Sequence, residues 1–234
     1  MKKLSLIMPV YNVKSELMEL LFQLKGLDLK DIEIIFIDDG STDGSAELLE
    51  SFNESVMHGN MTIISQCNKG VSAARNAGLI ESTAEFIWFI DPDDLINIDL
   101  LGVVFDSLDK YDLIQFSYDR FSQLGDIEWE KHIPSKNITS LTKNNLFKKL
   151  ATEEVEDYPW AHIAKKSLYV DNNLIFPVGR KYEDMATTYK LFQSAEKIGY
   201  FNVPLVYYRQ REGSTVHTPT NQYLDDCSYD EIPD

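Results

Sequence analysis

Residues 85–94 read Glu-Phe-Ile-Trp-Phe-Ile-Asp-Pro-Asp-Asp, an unbroken apolar run that stops at Asp91, Asp93 and Asp94, three carboxylates within four residues. A short continuous apolar run rich in aromatics and Ile fits a strand buried on both faces of a parallel sheet. In open α/β sheets ligands collect where such strands end, so the acids stand at a ligand's position. At about 4 Å and an effective dielectric near 20, each close like-charge pair costs up to about 4 kcal/mol. A hard divalent cation reverses that cost, because Mg²⁺ and Mn²⁺ take oxygen ligands from one or two carboxylates and from substrate phosphates. The structural alternative is that Asp93 or Asp94 caps a following helix, with Pro92 setting a turn.

The same pattern occurs upstream. Leu4–Val10 is apolar and ends at Tyr11-Asn12; Ile32–Ile37 is apolar and ends at Asp38-Asp39; Met61–Ser65 leads to Asn68-Lys69. Between them, Glu16–Leu24 carries Leu17, Leu20, Leu21 and Leu24 at helical spacing, Ala46–Phe52 follows a turn rich in helix N-cap residues, and a third helix opens in Asn68–Gly78. Three β-α units before a fourth strand predict a doubly wound, mostly parallel α/β sheet. Its four loops meet at one edge, where Lys69 and Arg75 bring positive charge to the acids.

The second half is less regular. Helices are expected over Leu100–Leu108, Thr142–Leu150, near Lys165–Asp171 and over Lys181–Phe192, with strands at Leu113–Tyr118, Ile198–Asn202 and Leu205–Arg209. Residues 219–234 contain five acids and little apolar pattern, which predicts a loose acidic tail. A hydrophobic fraction of 44% over 234 residues supports one sizeable domain. The net charge of −16 opposes nucleic acid and anionic surfaces, so an anionic ligand needs a local positive site or a metal. No stretch approaches the roughly 18 apolar residues of a membrane span, and the start does not read as a signal peptide. Cys67 and Cys227 are too few for a disulfide framework or zinc site, and the chain is expected in the cytoplasm.

The set Pro9-Val-Tyr-Asn12, Asp38-Asp-Gly-Ser-Thr-Asp43, Asn68-Lys-Gly, Ala74-Arg-Asn-Ala-Gly78, Asp91-Pro-Asp-Asp94 and Glu183-Asp184 resembles the family-2 inverting glycosyltransferases of the GT-A fold. The resemblance spans about residues 3 to 215. It implies a nucleotide-sugar-binding half at 1–112 and an acceptor-binding half with the catalytic base at 113–218. The donor is expected to be a UDP-sugar, and the acceptor a glycan or lipid-linked glycan in bacterial surface polysaccharide synthesis. Pro9, Val10 and Tyr11 are expected at the base, Asp38 or Asp39 at the uracil edge, Lys69 and Arg75 beside the nucleotide, and Asp91 and Asp93 near it. Asp93 and Asp94 are the expected ligands of Mn²⁺ or Mg²⁺ in a DXD-type motif, with His217 a further candidate.

Asp184 is expected to act as general base, with Glu183 and Trp160 on the acceptor side; Trp160 has the alternative of anchoring the core, and acids in a first helical turn also suit the helix dipole. The late stretch Tyr207–Ser214 resembles a motif whose basic residues close over the diphosphate. Ala161-His162 departs from the Asn-Lys that relatives often carry after the Trp. The resemblance also allows peripheral attachment at the inner membrane face and a homo-oligomer or partner subunit. Two competing readings are an inactive nucleotide-sugar-binding subunit and a haloacid-dehalogenase-like phosphatase, whose Asp-x-Asp ends a first strand rather than a fourth.

Overall fold

In a computed structural model, residues 2–127, 138–180 and 183–210 are described. Four strands and three helices alternate first: β1 (Leu4–Val10), α1 (Lys14–Leu24), β2 (Ile32–Asp38), α2 (Ser45–Ser55), β3 (Met61–Ser65), α3 (Val71–Glu81) and β4 (Phe86–Phe89). β1 runs parallel to β2 and β4, and β2 parallel to β3. Their register sets Val10 beside Asp38 and Asp38 beside Ser65, so the loops that follow all four strands emerge at one edge.

The apolar residues of these strands leave both faces in need of cover. Leu4, Leu6, Met8 and Val10 pack with Leu17, Leu20, Leu21 and Leu24 of α1, while Ile7, Ile87 and Phe89 belong to a second cluster with Leu79 of α3. Helix α3 lies so close to the sheet that a Cβ at Gly78 would sit 2.3 Å from Ile7 Cγ2. Gly78→Ala is therefore expected to destabilise the fold by about 1–3 kcal/mol through overpacking, read as a lower urea midpoint.

The later elements are β5 (Leu95–Ile96), α4 (Ile98–Phe105), β6 (Leu113–Phe121), β7 (Thr139–Leu141), α5 (Lys143–Ala151), β8 (His162–Lys165), α6 (Lys166–Asp171), α7 (Glu183–Ser194) and β9 (Ile198–Arg209). The described strands form one sheet in the order β3-β2-β1-β4-β8-β6-β9-β5, with β7 pairing β9. The expected α/β class holds. The second half is mixed rather than parallel, because β8 is antiparallel to both β4 and β6. The sequence placed a helix near Lys165 and no strand before it; four residues are too few to show a period.

β9 also differs, being one strand of 12 residues where two were expected. Against β6 its register runs Phe116↔Phe201, Ser117↔Pro204 and Tyr118↔Val206, so bulges absorb the extra residues around Pro204. Thr142 caps α5, its side chain accepting from the Asn145 N–H at 3.2 Å. Neither Asp93 nor Asp94 caps α4, since β5 intervenes and Asn97 holds the cap position.

His162, the departure noted in the sequence, begins β8 in the core, its ring edge-on to Phe192 at 5.3 Å. Burial lowers its pKa to about 3. The folded state thus binds this proton less readily than the unfolded chain, whose imidazole titrates near 6.5. Stability is present above about pH 6.5 and falls as pH drops toward 3, by roughly 1.4 kcal/mol per pH unit for one proton. In His162→Gln, urea unfolding between about pH 6 and pH 4 should show a slope shallower by about that amount.

Candidate active site

Each strand end of the parallel half contributes a loop built by local chemistry. Asp38, buried, accepts from the Ser41 N–H at 3.1 Å, which closes the turn after β2. Asp39 ties that turn to the next loop: Oδ1 accepts from Gln66 Nε2 at 2.7 Å and the Lys69 N–H at 2.9 Å, and Oδ2 from the Gly70 N–H at 2.8 Å. Gly70 takes φ +87°, a left-handed value that a side chain would resist, at the entry to α3. Asn12 accepts from the Thr42 N–H at 2.8 Å, so the β1 loop is joined as well.

The acid loop is a turn in which the Asp94 N–H donates to the Asp91 carbonyl at 3.1 Å. Arg75, 5% exposed in α3, pairs with Asp91 at 3.2 Å and lies over the Phe176 ring. Asp94 is 1% exposed; Oδ1 accepts from the Arg209 N–H at 2.8 Å, and Oδ2 is buried with no hydrogen-bond partner among the described residues. Burial, and then the charges of Asp93 and Asp91, push its carboxyl well above the usual range, against the pull of Arg209. Arg209 also donates from Nε to the Asp93 carbonyl at 2.7 Å and pairs with Glu19 of α1. Arg209 of the late stretch therefore meets the acid loop through both its backbone N–H and its side chain, and is itself held by Glu19, which carries no sequence signal of its own.

A buried, unpartnered carboxylate oxygen among neighbouring acids is an oxygen-only donor set suited to a hard cation. No group of three or more His, Cys, Asp and Glu residues that could hold a metal ion forms among the described residues. Among the described residues, Asp94 with Asp93 could supply one or two ligands, the usual protein share at Mg²⁺-type sites completed by substrate phosphates.

Other expected residues divide. Pro9 and Val10 are buried in β1, and Tyr11 at 48% exposure is the one of that trio open to solvent. The Lys69 side chain is exposed beside the acids' edge. Trp160, 3% exposed, is stacked on Tyr158 and Tyr208 and sits in the core cluster, so the core-anchoring alternative describes it, and its ring presents no open face for a sugar. His217, residues 211–216, the tail 219–234 and the Glu183 side chain lie outside the described residues.

Asp184 stands in the first turn of α7, half-buried, with Oδ1 accepting from the Met185 N–H at 3.1 Å. The segment before this helix is clasped to α3. Asn76 Nδ2 donates to the Phe176 carbonyl at 2.8 Å, and the Phe176 N–H returns a bond to Asn76 Oδ1 at 2.9 Å. Thr187 of α7 donates to the Ile175 carbonyl at 3.1 Å. Contacts thus run from the acid loop through Arg75 and Phe176 to the helix of Asp184. Asn76 was legible only as part of the Ala74–Gly78 motif; its partner, 100 residues on, was not.

Among the described residues no helix is long and apolar enough to cross a membrane. The chain is 31% identical to glycosyltransferase GlyA of Streptococcus pneumoniae serotype 4 over 95% of its own length, but spans only 32% of GlyA. The fold matches S. aureus TarS 1–349 in complex with UDP-GlcNAc, with TM-score 0.77 and 24% identity over 93% of this chain and 61% of that one. It also matches a mannosyltransferase from Pyrobaculum calidifontis in complex with GDP-Man and Mn²⁺, with TM-score 0.57 and 17% identity over 86% and 55% of the two chains. The family model described as Glycosyl transferase family 2 matches residues 5–162, about two thirds of the chain, and with this α/β sheet and loop edge the chain belongs to that family.

Proposed function

We propose that the chain transfers a sugar from a nucleotide-sugar donor, a UDP-sugar, to a hydroxyl of a glycan or lipid-linked glycan in one inverting displacement, as a step of bacterial surface polysaccharide synthesis. The observation that carries this reading is the acid loop at the shared edge of four parallel strands, held between Arg75 and Arg209. TarS, alike in fold, is known with UDP-GlcNAc.

Tyr11 and Asp38 would receive the base, while Asp39, with both oxygens engaged, sets the loop around it. Lys69 and Arg75 offset phosphate charge that Asp91 and Asp93 would otherwise repel. Mn²⁺ or Mg²⁺, held by Asp94 and Asp93 with His217 as a further candidate ligand, would stabilise charge on the departing nucleoside diphosphate. Asp184 takes the proton of the acceptor hydroxyl while that oxygen's lone pair forms the new bond at the anomeric carbon. The electrons of the old carbon–oxygen bond leave with the diphosphate from the opposite face. A moderate base suffices because the hydroxyl loses its proton only as the bond forms.

The test is a thermal-shift screen of UDP-, GDP- and dTDP-sugars with Mn²⁺ or with chelator, followed by measurement of nucleotide release. A UDP-sugar at about 100 times its Kd should add roughly 2.7 kcal/mol of stability, and only with the cation. Absence of binding under both conditions overturns the reading, and binding without release reduces the chain to a binding subunit.

A further inference from the structure

A cavity of about 420 Å³ lies between the end of β6 and the segment after α5, lined by Phe116–Arg120 and residues 153–156. That volume falls within the range of ordinary small-ligand sites. We propose that it is the acceptor subsite, and that it takes a neutral, hydroxyl-rich saccharide in preference to an anionic one; this rests on the transferase reading above.

Position supports the assignment. β6 pairs with β9 so that Arg120 lies beside Tyr208 and Phe121 beside Arg209, the residue that holds the acid loop through Asp93 and Asp94. The cavity therefore opens one strand away from the contact that anchors the acid loop.

The wall is built before any ligand arrives. The Tyr118 hydroxyl donates to Glu156 Oε1 at 3.1 Å and accepts from Arg120 Nη2 at 3.0 Å, a fixed row of acceptor and donor groups. Trp160 backs the Tyr118 ring edge-on at 4.9 Å, so the Trp picked out in the sequence supports a different aromatic residue at the cavity. Fully buried Gln115 donates from Nε2 to the Glu156 carbonyl at 2.9 Å and fixes that segment to the sheet. A pyranose offers a rim of hydroxyls to such polar groups.

Charge sets the class of sugar. Among the described residues, Asp119, Glu153, Glu154 and Glu156 line the cavity against Arg120 alone, and Arg120 already bonds Tyr118. Glu154 is paired with Lys149 at 2.6 Å, which leaves an excess of negative charge that a phosphate or uronate would meet. The acids do not form a cation cage among the described residues.

The experiment measures saturation-transfer NMR with lactose and chitobiose as neutral probes and a chondroitin disaccharide as the acidic one, on the wild type, Tyr118→Phe, Glu156→Gln and the exposed Asp119→Asn. Melting curves establish which variants are folded. Transfer to a neutral probe, at least threefold weaker in the folded variants among Tyr118→Phe and Glu156→Gln, is expected, with less transfer to the acidic probe in the wild type. If neither of those two folds, the same loss in Asp119→Asn decides. No transfer to either neutral probe, wild-type transfer in the deciding variants, or stronger transfer to the acidic probe overturns the assignment. UDP-sugar turnover is measured on the same samples. Sugar binding without wild-type turnover strikes the transferase reading, and turnover without sugar binding strikes the cavity.

Discussion

Replacing Asp184 by Asn is expected to lower kcat by about 10²–10⁴-fold, the usual contribution of a positioned general base, while UDP binding with Mn²⁺ stays within a few-fold of wild type. The amide keeps the shape and the capacity to accept a hydrogen bond but takes no proton. An acid in a first helical turn also has a purely structural use, since it complements the helix dipole by about 0.3–1 kcal/mol. The two roles separate cleanly. A capping role alone would lower the melting temperature slightly and leave kcat near wild type, whereas the base role removes turnover from a protein that still binds UDP. The clasp of Asn76 on Phe176 and the bond from Thr187 to Ile175 hold the start of α7 against α3, so Asp184 stands on a supported element. Steady-state kinetics beside calorimetry of UDP decides between them.

Asp94→Asn is expected to weaken cation-dependent UDP binding by at least a hundredfold, about 2.7 kcal/mol, with turnover lost in step. Asp94 carries the buried oxygen that has no partner among the described residues, and a neutral amide is a poor substitute for a carboxylate at a hard cation. The fold should tolerate the change. Burial and the neighbouring acids already disfavour the charged form of Asp94, so the amide removes a charge the folded state holds at a cost. In chelator the variant should therefore melt at or above the wild-type temperature. Isothermal titration with UDP in Mn²⁺ and in chelator measures the effect. Unchanged binding in Mn²⁺ would remove Asp94 from the cation's ligands.

Much of the parallel half was readable because its signals are local. β3 was bounded correctly by its apolar run, and four leucines at helical spacing located α1 and its end at Leu24, although it starts at Lys14 rather than Glu16, since burial on one face imposes a period that the chain displays directly. The loops were readable for a similar reason: Asp, Asn and Gly at strand ends have few uses besides turns, caps and ligands. Trp160 shows the limit of residue type as a guide. A large aromatic is equally apt for a sugar platform or a core, and only the neighbours Tyr158 and Tyr208 decide. Tyr118 and Glu156, which shape the cavity, are unremarkable in sequence because their hydrogen bond joins residues 38 apart.

The chain's own order of residues determined the α/β class, the four loops gathered at one sheet edge, and the position of three acids among them. The fold alone decided that β8 enters antiparallel between β4 and β6, that β9 passes Pro204 on bulges, and that Arg209 closes on Asp94 from 115 positions away. The division has a physical cause: periodicity and turn chemistry act over a few residues, while strand order, bulges and buried polar contacts depend on groups that meet only once the sheet has assembled.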